Sequence, residues 1–475
     1  TPIKSSAASD VYKRQLQMCS QRRWNNMHKQ WIKDGLSEYL SDAHAVWHMP
    51  GHKRKACYGD FQDAFLAWDV TEVPGTDDLY LPEGFIGDSL AMLKEIYQTC
   101  GTYYVVNGAT GGIFTAIAAC TKPGDAILIA KNCHKSVYNA AAMLQRQTIY
   151  VEPTWKKEAE DAFAFTSFID GYVDADDVER LCESHPEIAA VVVTSPTYEG
   201  VISDIAQIAR VAHAHHVRVI VDEAHGAHLP FLKPEYSAIR MGADVVVQSL
   251  HKTLPAMTQT AVIHVCTEEL VKPVEQALEI FLSSSPSYIF MMNMEAAICY
   301  MADHDFTEYE NNLREFRENC AKLPQITMIE KEAVCAAGAY GYDETRLVYS
   351  AAVPGPELLA MLEDKGDVVC EMAGRKHVVL ISTVRDGQED FEQLYRTLQM
   401  CDVALTKEGD HEKERCAGQE ELQKLAGTLA RAPIYVYPPG SYIVNTGEII
   451  TAETVEKLCA YQAAGLHIPV SYTHL

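Results

Sequence analysis

A chain of 475 residues with 48% apolar and 22% charged side chains has the composition of a folded globular protein long enough for two domains. Its formal charge of −25 repels phosphate backbones and disfavours nucleic acid as a partner. No apolar run approaches the roughly 18–20 residues needed to span a bilayer, and no apolar stretch follows the N-terminal lysines as a secretory signal requires. The fourteen cysteines are scattered without C-x-x-C pairs, so free thiols in a reducing cytoplasm are expected.

In chain order, residues 1–15 and 469–475 match no element around them and read as non-native tails, with Met18 or Met27 as the expected start. Residues 27–45 predict an amphipathic helix with Trp31, Leu36 and Leu40 on one face. Pro50-Gly51 forces a turn inside 48–53, and 71–79 is a second turn-rich, acidic loop. That loop is either solvated or a surface for a cationic substrate.

From residue 88 a regular alternation begins. It predicts a helix over 89–99, a strand over 103–106, a glycine-rich turn at 107–112 and a helix over 113–120. Strands follow at 126–130, 148–152, 189–194, 217–221, 244–248 and 261–265, with helices at 136–145, 175–184 and 204–215. Continuously apolar strands separated by helices mean an α/β fold with a mostly parallel sheet covered on both faces. Residues 268–319 are mainly helical with a break at 283–286. The looser pattern beyond predicts strands at 347–352 and 378–382 and helices at 356–365, 390–401 and 452–463. The expected division is an N-terminal segment at 16–87, a large domain at 88–305 and a smaller α+β domain at 306–468.

In such sheets ligands sit at the carboxyl ends of the strands. The stretch Asn107-Gly-Ala-Thr-Gly-Gly112 offers helix-N-terminal amides and the Thr110 hydroxyl to a phosphate, or is a plain tight turn. His134 follows the next strand, where it could stack on an aromatic ligand or face solvent. Residues 194–200 carry several hydroxyls and by themselves read as a solvated loop. Asp222 ends an apolar strand, and a buried carboxylate needs a cation or strong donors. One reading is the Mg²⁺-holding strand of a DEAH-type ATPase, but no G-x-x-x-x-G-K-S/T loop accompanies it. The other is a partner for a protonated heterocycle. His213, His215, His216, His225 and His228 have no H-E-x-x-H spacing and no cysteine pairing, so no metal is expected. Lys252 follows the valine-rich strand at 244–248, either as a nucleophilic amine with a shifted pKa or as a surface residue. A phosphate cradle, a flat imidazole, a buried aspartate and a lysine on one sheet edge match pyridoxal 5'-phosphate (PLP).

The chain resembles the Orn/Lys/Arg decarboxylase family, bacterial PLP enzymes of the aspartate-aminotransferase fold. The resemblance is carried by HMPGHK (48–53), TEVPGTDDLYLPEG (71–84), NGATGG (107–112), NCHKSVYNA (132–140), VVTSPTYEG (192–200), VDEAHGAHL (221–229), GADVVVQSLHKTLPAMTQTAV (242–262), SSPSY (284–288) and YPPG with GE (437–448). It implies PLP fold type I, with a seven-stranded sheet, and decarboxylation of arginine, lysine or ornithine to a polyamine-pathway amine and CO₂. Arginine is the preferred expectation; another fold-type-I reaction, amino transfer or C–C lysis, is the alternative. The resemblance further implies that Lys252 carries the internal aldimine, that Asp222 pairs with the ring nitrogen and supports a quinonoid, and that Lys252 or His251 returns the proton. His134 and Ala224 would pack on the two ring faces and His225 would reach the ring hydroxyl. Ala109, Thr110, Gly111, Ser249 and His251 would hold or flank the phosphate. Glu448, with Asp77 or Asp78, would face the substrate's distal cation, and Ser285 would contribute across a homodimer interface. The family more often has Ser where Ala109 stands, Thr where Leu250 stands and Pro near Asn445-Thr446. The chain shows no counterpart of the N-terminal wing of larger members, which implies a dimer or tetramer.

Overall fold

The sheet that carries the site is built from mostly apolar strands, whose polar residues lie chiefly towards their ends. β1 (Gly101–Val105), β2 (Ala126–Ala130), β3 (Gln147–Val151), β4 (Ile188–Thr194), β5 (Arg218–Asp222), β6 (Val245–Ser249) and β7 (Ala261–Val265) pair in the order β1-β7-β6-β5-β4-β2-β3. This is a computed structural model, and it describes residues 45–47, 77–407, 422–423, 425–430, 434–436, 441–444 and 447–463. The expected tails, the helix at 27–45 save its last residue, and the turns at 48–53, 71–76 and 437–440 lie outside the described residues.

Strands β3, β2, β4, β5 and β6 run parallel, and β7 is antiparallel to both its neighbours. The valines of β4, β5 and β6 are fully buried because helices cover both faces, which is why these strands lack an alternating pattern. The layers come from α1 (Phe85–Tyr97), α2 (Gly108–Cys120), α3 (Lys135–Met143), α4 (Ala175–Ser184), α5 (Ile205–Ala214) and, after the one-turn α6 (Leu250–Thr253), α7 (Val271–Phe281).

Two starts differ from expectation, each for a local reason. α2 begins at Gly108, so the glycine-rich stretch is the first turn of the helix rather than a turn before it. Gly108 at φ +71° makes the sharp departure from β1. α1 begins at Phe85 rather than 89, because the carboxylate of Asp77 accepts the N–H groups of Gly84, Ile86 and Gly87 at 2.8–3.2 Å. Those are the donors a helix start leaves open, and a carboxylate there also suits the helix dipole. That cap lies outside the apolar periodicity and is invisible to it.

α8 (Tyr288–Asp303) and α9 (Thr307–Cys320) lead into a second core. Thr327–Met328, Arg346–Ser350, His377–Ile381 and Met372–Ala373 form a four-stranded antiparallel sheet, backed by α9 and by helices Gly355–Gly366 and Gln388–Lys407. Ala45–Trp47 pairs in parallel with Val368–Cys370, and the Trp47 ring lies 5.8 Å from that of Phe391. Residues that precede the large domain in sequence thus brace the small one. The two units are joined by a pair of two-residue strands, Val201–Ile202 and Gly341–Tyr342. Each is too short for any periodicity to reveal.

α2 packs against β6 so closely that a Cβ on Gly112 would stand 2.7 Å from Val247 Cγ1. Gly112→Ala is therefore expected to destabilise the protein by about 2 kcal/mol through overpacking. Adding Val247→Ala should recover part of the loss, which paired denaturant unfolding curves would measure.

Candidate active site

The carboxyl ends of β5 and β6 place two ionisable groups where water is scarce. Asp222 is the last residue of β5 and is 3% exposed. Its Oδ1 accepts the N–H of Ala224 at 3.2 Å. Burial pushes its carboxyl pKa up, against the charge of Lys252, which pulls it down. Lys252 sits in α6, immediately past β6, with Nζ 2.8 Å from His225 Nε2. Desolvation draws the amine down to about 8, while Asp222 and Glu371 oppose the shift.

His225 is buried, and desolvation followed by the Lys252 charge lowers its pKa far below the usual range. The imidazole is therefore neutral, and its ring leans on Tyr198 with centroids 4.4 Å apart. Tyr198 in turn donates to a carboxylate oxygen of Glu371. His134 forms the N-cap of α3, where Nδ1 accepts the Ser136 N–H at 3.2 Å and lies 2.9 Å from Ser136 Oγ. Burial, then Lys252, lowers its pKa to about 4, so it too presents a flat uncharged ring. His251 places Nδ1 3.3 Å from the Thr260 carbonyl and 3.2 Å from Ser249 Oγ.

The anion side of the edge is the first turn of α2. Ala109 is half-buried, Thr110 exposed and Gly111 buried. A Cβ on Gly111 would meet Asn107 Cβ at 3.0 Å and Leu282 Cδ2 at 3.1 Å, so a larger residue here would press on the turn and shift its neighbours. Asn107 makes no side-chain cap to α2, leaving the amides of the first turn for a ligand. On this edge His225 Nδ1 is buried without a hydrogen-bond partner. These features fit a flat, anionic, hydrogen-bonding cofactor: an amine to bond it, a carboxylate for its basic nitrogen, uncapped amides for its phosphate and an orphaned ring nitrogen.

The remaining expected residues lie as follows. Ala224 is buried beside Asp222. Ser285 is exposed in a loop closed by its own N–H on Ser283 Oγ. Ser283 donates its N–H to Asn107 Oδ1 at 3.4 Å, so this loop borders the α2 turn. Asp77 is engaged as the α1 cap, and Asp78 accepts the N–H of Tyr80 at 2.8 Å. The charge of Glu448 acts on Lys131, which directly follows β2. The segment 194–200, read as solvated, is instead buried: Thr194, Ser195, Thr197 and Glu199 are each at most 9% exposed. Its backbone turns back into the Val201–Ile202 strand that pairs with the small domain, and that pairing encloses it.

Arg346, not singled out from the sequence, is the largest omission. It is fully buried, and Nη2 donates to the His225 carbonyl at 2.5 Å while Nη1 stands 3.7 Å from Asp343 Oδ2. A cation at the head of the apolar run Leu347-Val-Tyr349 was the available signal. Glu223, the second letter of the D-E-A-H run, points into the core. It accepts Ala238 N–H, Ser237 Oγ–H and Gln248 Nε2–H, and its pKa is pushed up to about 8 by burial. Its neighbours commit it to structure rather than to a metal-bound nucleotide.

A parallel sheet edge with these groups defines a PLP enzyme of fold type I. Solved structures agree on the fold: lysine decarboxylase LdcF of Francisella novicida superposes with a TM-score of 0.68 at 16% identity, covering 92% of this chain and 81% of its own. A structure described as SPT with a PLP internal aldimine superposes at 0.58, with 13% identity and coverage of 76% and 87%. The family description "Orn/Lys/Arg decarboxylase, major domain" matches residues 32–334. Arginine decarboxylase of Bacillus subtilis is 26% identical over 93% of this chain and 96% of its own length, and the uncharacterised protein YaaO of the same organism is 30% identical over 89% and 92%. The chain belongs to the Orn/Lys/Arg decarboxylase family and is a PLP-dependent amino acid decarboxylase.

A depressed lysine pKa is directly observable. The neutral fraction of Lys252 grows as pH rises through about 8. The cofactor-free protein should therefore take up PLP faster across that pH, read by stopped-flow absorbance; a rate that first rises near the ordinary lysine value of about 10.4 would contradict it.

Proposed function

We propose that this enzyme decarboxylates arginine, in preference to lysine or ornithine, releasing agmatine and CO₂. The reading is carried by the Asp222–Lys252–His225 constellation, together with similarity to arginine decarboxylases along almost the whole chain. Bound PLP supplies an electrophilic carbonyl carbon and an electron-withdrawing ring that takes up the electron pair left by C–C cleavage.

The chain's residues supply the rest. Lys252 Nζ, kept partly neutral by desolvation and oriented by His225 Nε2, is the amine that would hold the cofactor covalently and give way to a substrate amine. Asp222 holds the proton on the ring nitrogen, since a buried carboxylate is most stable beside a cation. His134 and Ala224 would flank the ring, and His225 Nδ1, which has no partner of its own, would meet a ring oxygen. Ala109, Thr110, Gly111, Ser249 and His251 would hold the phosphate through the α2 and α6 turns. Lys252 Nζ, or His251, delivers the proton to the Cα that loses its carboxylate. Glu448 and Asp78 are assigned to the distal guanidinium, and Ser285, exposed, to the neighbouring site of a homodimer.

Lys252→Ala should abolish both the visible absorbance of bound cofactor and CO₂ release while far-UV circular dichroism stays unchanged. A yellow, active variant would sink the assignment. Asp222→Asn should keep the cofactor and lower kcat by about a hundredfold or more, the scale of losing one preorganised electrostatic partner. Substrate choice is tested by chromatography of products from equimolar arginine, lysine and ornithine: agmatine should dominate, and a majority of cadaverine or putrescine would overturn the arginine reading.

A further inference from the structure

The carboxylate of Glu371 reaches the cofactor edge from the other domain. Glu371 lies between strands Val368–Cys370 and Met372–Ala373, and its N–H donates to the Val379 carbonyl at 3.0 Å, so the small-domain sheet fixes its backbone. Its carboxylate accepts the hydroxyl of Tyr198, a large-domain residue 173 positions away in sequence. Tyr198 is held in place in turn: the Thr197 N–H donates to Val201 O at 2.9 Å and the Asp343 N–H to Gly200 O at 2.8 Å. Burial, then the Glu371 charge, push the phenol pKa well above its usual range, so Tyr198 stays protonated and donates. Its ring lies on that of His225, with centroids 4.4 Å apart and planes tilted by 55°, and His225 Nε2 is the atom 2.8 Å from Lys252 Nζ. Glu371, Tyr198, His225 and Lys252 thus form one chain of contacts across the domain boundary. Glu371, Tyr198 and Lys252 are half-buried, so bulk water does not fully screen a charge at one end from the other.

The groups that act on Lys252 come from several elements. Asp222 ends β5, and Glu371 and Arg346 belong to the small domain. His225 and His134 are uncharged where the amine titrates, and His251 precedes it in α6. In the proposed function Asp222 serves the cofactor's ring nitrogen. Glu371 is the second carboxylate that acts on the amine, and it opposes both desolvation and the Arg346 guanidinium.

We propose, on the footing that Lys252 is the amine that bonds the cofactor, that Glu371 is a positioning residue: gripped by the Tyr198 hydroxyl, it keeps the Tyr198 ring on His225 and holds a negative charge within electrostatic reach of the Lys252 amine. The test is the pH midpoint of PLP uptake by the cofactor-free full-length chain, read by stopped-flow absorbance, with far-UV circular dichroism checking each variant's fold. Glu371→Gln keeps an acceptor for Tyr198 and removes the charge. An ammonium that loses a nearby anion gives up its proton more readily, so the midpoint should fall by about half a pH unit or more. Glu371→Asp restores the charge and should bring the midpoint back towards that of the unaltered chain. Tyr198→Phe keeps the ring and the carboxylate but breaks the bond between them, and its midpoint should fall part of the way as the released carboxylate turns to water. A residue that only braced the two domains would lower stability and leave the midpoint where it is. An unshifted midpoint in Glu371→Gln or Tyr198→Phe overturns the proposal, and so does one in Glu371→Asp that falls as far as in Glu371→Gln. Lys252→Ala separates the two levels. Unaltered cofactor absorbance there refutes the lysine assignment and the proposal with it; absorbance lost there, beside an unshifted Glu371→Gln, refutes the proposal alone.

Discussion

Everything at this sheet edge depends on keeping an amine and a carboxylate out of water without letting them collapse into an ordinary ion pair. Lowering Lys252 from its usual value to about 8 disfavours its protonated form by about 3 kcal/mol. The structure sustains that cost with rigid surroundings: fully buried valines of β5 and β6 behind the pair, and a neutral imidazole, His225, at Nζ. His225 is held in turn by Tyr198 at its ring and by Arg346 at its carbonyl. Most enzymes with a nucleophilic amine face the same choice. A charged lysine is soluble and inert, a desolvated one is reactive and destabilising, and the fold must offset the difference elsewhere.

The large domain was legible in the sequence because parallel strands covered on both faces write themselves as unbroken apolar runs. β2, β7 and α4 match the expected limits to the residue, and the other strands shift by one or two. Lys252, Asp222 and His134 were legible for a related reason: each follows such a run, and ligands gather where those runs end. What stayed hidden depends on long-range contact. The segment 194–200 looks like a polar loop and becomes buried only when the two-residue strands clasp the domains. Arg346 and Glu371 lie far from Lys252 in sequence, and nothing local to either one says which distant group it will face.

Asp77 and Glu223 show how strong sequence signals can be absorbed by structure. An acidic residue in a turn-rich loop invites a role with a cationic substrate, yet the Asp77 carboxylate is taken up by backbone amides of α1. The D-E-A-H run suggests nucleotide chemistry, yet Glu223 is surrounded by donors from three residues inside the core. In both cases the deciding fact is which donors are near, and a motif does not contain that information.

The placement of Arg346 has a consequence for how the protein comes into being on the ribosome. The strand ends, the helix turn and the lysine all belong to the part of the chain made first, while Arg346 and Glu371 emerge later. Until the small domain docks, the His225 carbonyl lacks its guanidinium and the amine lacks the Glu371 charge. The nascent large domain thus lacks part of the edge's surroundings, and the Lys252 amine acquires its final charge environment only when both domains have been made.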